Sequence, residues 1–149
     1  MSLKLKFFIA FVVVLAALQL LPLKCDNPPY NKDEEIKVPK EVMTLFRRAC
    51  YDCHSNETKW PWYSHVAPMS IFVVKHVHDG RAWLNFSVWE KYDEKKKKEL
   101  KNKIFRSIAM AMPLEMYLKV HKEAVLSEDE KDIIRRWASN GTMQIEPLR

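Results

Sequence analysis

The sequence predicts an all-α protein, and three observations support that fold class. Apolar residues recur with the spacing of a helix face in several segments of the chain. No segment shows a convincing alternation of apolar and polar residues, which is the pattern of a half-buried strand. Only two glycines occur among the 149 residues. We therefore expect helices and their connections, without a sheet.

The N-terminal segment is basic at its start and then apolar. Lys4 and Lys6 precede an apolar run over residues 7–23. This pattern predicts a signal sequence or a membrane anchor over residues 1–24, with residues 3–23 in contact with the membrane. The basic residues favour an N-terminus inside the cytoplasm and the rest of the chain outside it.

The end of the apolar run favours an uncleaved anchor over a cleaved signal. No small-x-small cleavage site follows the apolar core. A lipoprotein signal would place a small residue before its cysteine, whereas Lys24 precedes Cys25. We therefore expect the segment to stay attached.

The remainder divides into a connecting segment and one small domain. Residues 25–37 are mostly polar, contain Pro28-Pro29 and show no apolar periodicity, which predicts a tether. Residues 38–149 are enough for one small domain, and no internal repeat divides them.

Two helices are predicted in the first half of this domain. Pro39 suits a first helical position and precedes an apolar face of Val42, Leu45, Phe46 and Ala49. A second helix is predicted to begin at Pro68 and to end at Gly80. Its apolar side is expected to carry Met69, Phe72, Val73 and Val77.

Two capping-box patterns predict two later helices. Ser87 and Glu90 precede a charged helix whose apolar positions are Leu100, Ile104 and Ile108. Ser127 and Glu130 precede a last helix, which we expect to end at Asn140-Gly141. The apolar positions of that last helix are Ile133, Ile134, Trp137 and Ala138.

The charge balance does not indicate a nucleic-acid partner. The chain holds 25 basic and 19 acidic residues, a net charge of +6. Residues 1–24 contain three lysines and no acid, so the rest carries 22 basic against 19 acidic residues, a net of +3. The basic run Lys95 to Lys98 could dock an acidic redox partner, but it also fits a solvated helix face.

The segment Cys50-Tyr51-Asp52-Cys53-His54 has the form C-x-x-C-H, the attachment sequence for c-type haem. Two thiols at this spacing can add to the two vinyl groups of one porphyrin. The histidine that follows is then held under the iron as the proximal ligand. A single such motif predicts one haem.

Two other interpretations compete for this motif. A C-x-x-C pair can serve a redox or structural role and precede a histidine by chance. A zinc site would need four ligands, usually including a second close pair of Cys or His. The only other cysteine, Cys25, lies far upstream.

A candidate for the second axial ligand lies in Met110-Ala111-Met112-Pro113. Haem iron in cytochromes c takes a histidine on one face and usually a methionine on the other. Proline ends a helix and fixes the local backbone, so the Met112 sulfur could be aimed at the iron. Met112 could instead be a core methionine at a helix end. The remaining candidates are Met69, Met110, Met116, His76 and His121.

The aromatic run Trp60-Pro61-Trp62-Tyr63 allows two compatible roles. Its N–H or O–H groups could bond a haem propionate, or its rings could fill the core. The second ring nitrogen of His54 also needs an acceptor; a backbone carbonyl at Pro61 or Pro68 could serve, and the sequence does not choose between them.

Taken together, these motifs resemble the small haem-binding domain family of bacterial c-type cytochromes. The segments that carry the resemblance are C-Y-D-C-H-S-N-E-T-K-W-P-W-Y-S from Cys50, A-P-M-S at Ala67, H-V-x-x-G-R at His76, L-N-F-S-x-W at Leu84, M-P-L-x-x-Y-L-x-x-H at Met112 and A-x-L-S at Ala124. The resemblance implies a cytochrome c-like helical domain around one covalent haem, preceded by an apolar N-terminal helix. It also implies attachment through Cys50 and Cys53, with His54 proximal and Met112 distal.

Three classes of function remain open. We expect an electron carrier rather than an enzyme, tethered on the periplasmic side of the bacterial inner membrane and serving unidentified redox partner proteins. A haem-based sensor or gas-binding module would need a distal ligand that leaves. A peroxidase-type enzyme would need an open site, and no distal His/Arg arrangement is visible in the sequence.

Overall fold

A computed structural model describes residues 2–139, and within that range the chain forms helices and no strand. The α-helices are α1 (Leu3–Leu18), α2 (Lys40–Ala49), α3 (Tyr51–His54), α4 (Met69–Trp83), α5 (Glu94–Met110), α6 (Glu115–Val120) and α7 (Glu128–Ala138). Short 3₁₀ helices lie at Lys32–Glu34, Trp62–His65, Phe86–Lys91 and Lys122–Ala124. The predicted all-α class is confirmed.

Helices α2, α5 and α7 enclose the core of the domain. Helix α5 packs along α7, and α2 packs on both α7 and α3. The Phe46 side chain is fully buried at the centre. Its ring stacks on Phe86 at 4.6 Å between centroids and meets the edge of Trp137 at 5.3 Å. Such aromatic pairs add directional stabilisation to the burial of apolar area.

Helices α2 and α7 form as their sequences predict. The buried residues of α2 are Val42, Leu45, Phe46 and Ala49. Helix α7 begins with the predicted capping box, in which Ser127 and Glu130 each bond the backbone of the other. Glu130 also accepts a 2.6 Å bond from Arg48 and so ties α7 to α2. The predicted end at Asn140-Gly141 lies outside the described residues.

The predicted start of α5 is wrong, whereas its buried face is confirmed. Asp93 caps the helix by accepting from the Lys96 N–H. Ser87 instead lies buried in the 3₁₀ helix Phe86–Lys91, where its hydroxyl accepts from the Asn56 N–H at 2.9 Å. The pattern at Ser87 and Glu90 therefore marks a tertiary contact rather than a helix start. Buried on α5 are Leu100, Ile104 and Ile108.

The predicted apolar side of α4 is mostly wrong. The helix continues through Gly80 to Trp83, and its buried residues are Ser70, Val74 and Val77. Met69 and Phe72 are 46% and 52% exposed. The periodicity follows the largest apolar side chains, but α4 packs closely and therefore turns its smaller residues inward.

Helix α1 makes few contacts with the domain. None of its residues is buried. In the part of the chain that the structure describes, no helix is both long and apolar enough to cross a membrane. The side chain of Gln19, just after the helix, donates to the Ala67 carbonyl at 3.1 Å and accepts from the Ala67 N–H at 3.0 Å.

The segment 25–37, interpreted above as a tether, lies against the domain. Ile36 is buried and its N–H donates to the Phe86 carbonyl at 2.9 Å. The Glu35 carboxylate accepts from the Tyr51 hydroxyl at 2.8 Å and from Arg47 at 2.6 Å. These contacts hold the segment across the start of the C-x-x-C-H turn.

The revised core predicts different costs for two apolar truncations. Ile134 is fully buried away from the candidate site, so Ile134→Ala should lower the free energy of unfolding by about 2–5 kcal/mol. Phe72→Ala should change it by about 0.5 kcal/mol or less, because Phe72 is half exposed. Chemical denaturation of both variants measures the difference. Equal losses would contradict the assignment of the α4 faces.

Candidate functional site

The C-x-x-C-H motif forms one helical turn directly after α2. The Cys50 N–H donates to the Phe46 carbonyl at 2.8 Å, which continues the α2 hydrogen bonding into the motif. The His54 N–H donates to the Cys50 carbonyl at 2.9 Å and closes the turn. Both thiols are free, and Cys50, Cys53 and His54 all line one cavity. The motif therefore presents its three chemical groups together.

Helix α4 approaches this turn so closely that only glycine fits at the contact. A Cβ atom on residue 80 would lie 2.5 Å from the Cys53 carbonyl oxygen and 3.1 Å from its carbonyl carbon. Real Cβ atoms do not approach backbone atoms this closely. Gly80 was predicted as a helix stop, but its role in the structure is to let α4 contact α3.

The close approach brings backbone carbonyls at the end of α4 to His54. The His54 Nδ1 atom lies 3.0 Å from the Gly80 oxygen and 3.0 Å from the Leu84 oxygen. Both neighbours can only accept, so Nδ1 carries the hydrogen and Nε2 carries the free lone pair. The expected acceptors at Pro61 or Pro68 are wrong, because α4 provides the carbonyls instead.

Burial keeps the His54 ring neutral. Desolvation lowers the His54 pKa below its ordinary value, against the opposing effect of the two carbonyl bonds. A neutral imidazole with its proton on Nδ1 is the form that binds a metal through Nε2. The local electrostatics and the hydrogen bonding thus favour the same protonation state.

The cavity beside His54 is large and mostly apolar. Its volume is about 440 Å³, within the range of roughly 300–1,000 Å³ that is usual for cofactor pockets. Its apolar walls include Phe46, Phe86, Leu100, Ile104, Ile108 and Leu114. Met112 and Pro113 also line it. A flat apolar cofactor with a metal centre fits this combination of apolar walls, one free imidazole nitrogen, two thiols and a thioether.

Among the methionine candidates for a second axial ligand, only Met112 lines this cavity. Met110 is 85% exposed at the end of α5, and Met69 and Met116 are also exposed. The residues that line the cavity include none of these three. The proline-linked position is therefore the one that brings a thioether to the cavity wall.

The two histidine candidates differ in their surroundings. His121 is bonded on both nitrogens, to the Tyr63 hydroxyl at 2.7 Å and to Glu123 at 2.8 Å. It lies outside the cavity lining. His76 lines the cavity from an exposed position on α4. His76 is thus the histidine whose position competes with Met112.

The thiols do not have the properties of a reactive redox pair. Burial raises the pKa of Cys50 to about 12 and that of Cys53 to about 11. Reactive cysteines in redox motifs have a lowered pKa. Among residues 2–139, no group of three or more Cys, His, Asp and Glu side chains is placed to hold a metal ion. The surroundings of the pair therefore favour neither a reactive redox pair nor a zinc site.

The aromatic run Trp60–Tyr63 does not fill the main core, and its bond to a propionate stays a prediction. None of its residues lines the cavity or belongs to the main core cluster. Trp62 is 78% exposed, and the Tyr63 hydroxyl bonds His121. Trp60 lies below the Arg81 guanidinium, 5.8 Å from ring centroid to carbon. The propionate role predicted for this run therefore has no support in the cavity lining.

Several lining residues were not singled out from the sequence, among them Tyr117, Trp83 and Lys103. Tyr117 donates to Asp52 at 2.8 Å across the cavity wall, and burial together with Asp52 raises the Tyr117 pKa, so the phenol stays protonated. The Lys103 ammonium lies 4.9 Å from the Trp83 ring centroid and 2.6 Å from Glu99. The segment M-P-L-x-x-Y places Tyr117 five residues after Met112, and this spacing could have predicted that Tyr117 lies near the cavity. Lys103 lies in a helix rich in lysine and carries no such signal.

Arg81, the residue after Gly80, holds the loop that follows the motif. Its Nε donates to the Ser55 carbonyl at 2.7 Å, and its Nη2 donates to the Thr58 hydroxyl at 2.7 Å. It also reaches Asn27 in the N-terminal segment at 2.7 Å. The two neighbouring residues thus have different roles. Gly80 lets α4 contact the C-x-x-C-H turn, and Arg81 holds the loop that follows the turn.

Gly80→Ala should reduce both the stability of the protein and its haem content. Alanine normally favours a helix, but here its methyl group must displace the Cys53 backbone, so we expect a net loss of about 1–3 kcal/mol. His78→Ala is the control, because His78 is an exposed residue of the same helix. Denaturation and haem-to-protein ratios measure the effect. Unchanged stability and haem content in Gly80→Ala would contradict the contact.

A comparison with protein families agrees with this site. The haem-binding domain family matches residues 13–140, which include the C-x-x-C-H turn, α4 and Met112. Searches of curated proteins and of solved structures give no match. The match covers most of the chain and every element that lines the cavity. The chain therefore belongs to the haem-binding domain family.

Proposed function

We propose that this domain binds one haem covalently through Cys50 and Cys53 and carries single electrons outside the cytoplasmic membrane. His54 and Met112 serve as the axial ligands. The observation that carries the proposal is the orientation of His54. Its Nδ1 lies 3.0 Å from the Gly80 and Leu84 carbonyl oxygens, which leaves Nε2 free, and His54 lines the same cavity as Cys50, Cys53 and Met112.

The residues of the chain prepare this cavity for one-electron chemistry. Bound there, haem supplies an iron centre that changes its charge by one electron. The Gly80 and Leu84 carbonyls fix the His54 ring and increase its basicity as a ligand. The apolar walls limit the access of water and so lower the local dielectric constant. A thioether from Met112 would raise the reduction potential and leave no open position for a substrate.

The polar groups of the cavity support a carrier more than a peroxidase. A peroxidase needs a distal base and a cation beside the iron. The described lining contains His76 and Lys103 but no arginine, so the distal histidine–arginine pair of a peroxidase is not present among these residues. The Lys103 ammonium is already paired with Glu99 at 2.6 Å. The Asp52 carboxylate is already bonded by Tyr117 and by the Lys59 N–H at 3.1 Å. A sensor remains the alternative if Met112 leaves the iron when a gas binds.

The apolar helix α1 supports a location at the outer face of the bacterial inner membrane. All its side chains are at least partly exposed, and Lys4 and Lys6 lie near its start. A helix with apolar side chains on every face is stable only where something apolar surrounds it. The compartment outside this membrane is also where bacteria attach haem to C-x-x-C-H.

The lysine run on α5 offers limited support for a docking site. Lys96 bonds Glu99 at 3.4 Å, and Lys97 pairs with Glu90 at 2.7 Å and with Glu94 at 3.3 Å. Part of the positive charge of the lysine run is therefore neutralised by acidic residues of α5 and of the 3₁₀ helix before it. We propose unidentified redox proteins as partners without assigning them to this run.

Covalent attachment can be tested by extraction. Haem should stay with the denatured protein in acidic organic solvent, because thioether bonds survive that treatment. Cys50→Ala should leave one thioether bond and mature poorly. Cys25→Ser is the matched control and should change neither property, because Cys25 does not line the cavity. Haem that leaves the wild-type protein with the solvent would contradict covalent attachment.

The sixth ligand can be tested with two neighbouring methionines. Wild-type oxidised protein should be low-spin and show the weak long-wavelength band of iron–thioether bonding. Met112→Ala should abolish that band, lower the reduction potential and open the iron to carbon monoxide. Met110→Ala is the matched control, because Met110 is exposed and lies outside the cavity lining.

Two results would contradict parts of this account. Loss of the band in Met110→Ala alone would move the ligand to Met110 and leave the carrier in place. A high-spin wild-type protein with fast carbon monoxide binding would instead support the sensor.

A further inference from the structure

Exposed apolar residues surround the point where α1 meets the domain. Gln19 holds that point by bonding both the N–H and the carbonyl of Ala67. A second contact follows, in which the Cys25 thiol donates to the Ser64 carbonyl at 3.1 Å. The end of α1 and the connection after it are therefore held against the segment 62–72.

This junction is apolar on both of its sides. On the α1 side, Leu20, Leu21 and Leu23 are exposed. On the domain side, the exposed large apolar residues are Trp62, Val66, Met69 and Phe72. Val66 directly precedes Ala67 and Met69 is two residues after it, and Phe72 lies one turn after Met69 on the same side of α4. Exposed apolar groups in such number mark a contact surface rather than ordinary solvent-facing chain.

We propose that the surface formed by Trp62, Val66, Met69 and Phe72, here called the junction surface, rests on the lipid bilayer. This inference rests on the proposed membrane attachment through α1 and deepens it. It adds that the domain is held to the membrane by a defined face and does not hang freely from its anchor.

Three features indicate that a lipid bilayer covers the junction surface. Helix α1 is apolar from Phe7 to its end, and a bilayer that accepts this part reaches the residues next to Ala67 as well. Tryptophan is enriched at the membrane–water interface, where its ring has both an apolar body and an N–H group. Met69 and Phe72 can enter the headgroup region without displacing any packed contact of the core, since both are half exposed.

The junction surface would orient the haem cavity. Helix α4 begins at the junction surface with Met69 and ends beside the cavity with Gly80 and Trp83. A bilayer at the start of α4 therefore leaves the far end of the helix, with the cavity, turned toward soluble partners. The Gln19 clamp is the device that keeps this orientation.

Photo-crosslinking of the full, haem-loaded chain tests the inference. The photoreactive residue p-benzoylphenylalanine replaces Phe72 in one variant and Met110 in a matched control. Met110 is apolar and exposed, but it ends α5, which packs along α7 and is not part of the junction surface. Both variants are reconstituted into vesicles of phosphatidylcholine and phosphatidylglycerol, floated on a density gradient and irradiated. Mass spectrometry then identifies the adducts.

We expect lipid adducts at position 72 in several-fold excess over position 110. Gln19→Ala should reduce the adducts at position 72 while the protein still floats, because the clamp at Ala67 is lost. Equal lipid adducts at positions 72 and 110 in floated protein would overturn the junction surface alone. Adducts to a second copy of the chain at position 72 would overturn it in favour of a protein interface. Protein that does not float would overturn the membrane attachment itself, whereas its haem content tests the cofactor proposal separately.

Discussion

The site depends on one close contact, in which α4 packs against the C-x-x-C-H turn at Gly80 and Cys53. Because residue 80 has no side chain, the last turn of α4 comes near enough for two backbone carbonyls to reach His54. Those carbonyls determine which nitrogen of the ring carries the proton and which is free. A larger residue at position 80 would separate the two helices and release the ring. The contact thus links the packing of two helices to the coordination chemistry of one nitrogen.

The cavity and the core are built from the same residues. Phe46 and Phe86 stack on each other in the core and also form part of the cavity wall, as do Leu100, Ile104 and Ile108. A cofactor in this space would therefore complete the core, and its binding would contribute to stability by mass action. The same apolar walls bury His54 and both thiols, which keeps all three neutral. The chain thus combines a folding requirement and a binding requirement in one set of side chains.

The sequence was most informative where the signal is local. The C-x-x-C-H spacing, the buried face of α2 and the capping box of α7 each depend on residues within one or two helical turns, and the structure contains all of them. The order Met-Pro also separated Met112 from Met110, since a proline after a helix end is a local feature. Only Met112 of these two lines the cavity.

The sequence was least informative where residues far apart in the chain meet. The acceptors for His54 come from α4, twenty-six and thirty residues later, and spacing within the motif carries no information about them. The α4 face was misjudged because periodicity gives most weight to large side chains, whereas close packing selected Ser70, Val74 and Val77. Ser87 was misread as a cap because its tertiary role, accepting from the Asn56 N–H, imitates a capping residue in sequence.

The His54 tautomer underlies the proposed coordination, and nitrogen-15 NMR of the reduced, haem-loaded protein measures it. With histidine labelled on both ring nitrogens, the reduced low-spin protein is diamagnetic and each nitrogen can be observed. We expect a proton on Nδ1 of His54 that exchanges slowly with water, and no proton on Nε2, which would bind the iron. A proton on Nε2, or a His54 ring that titrates as a free imidazole, would contradict it.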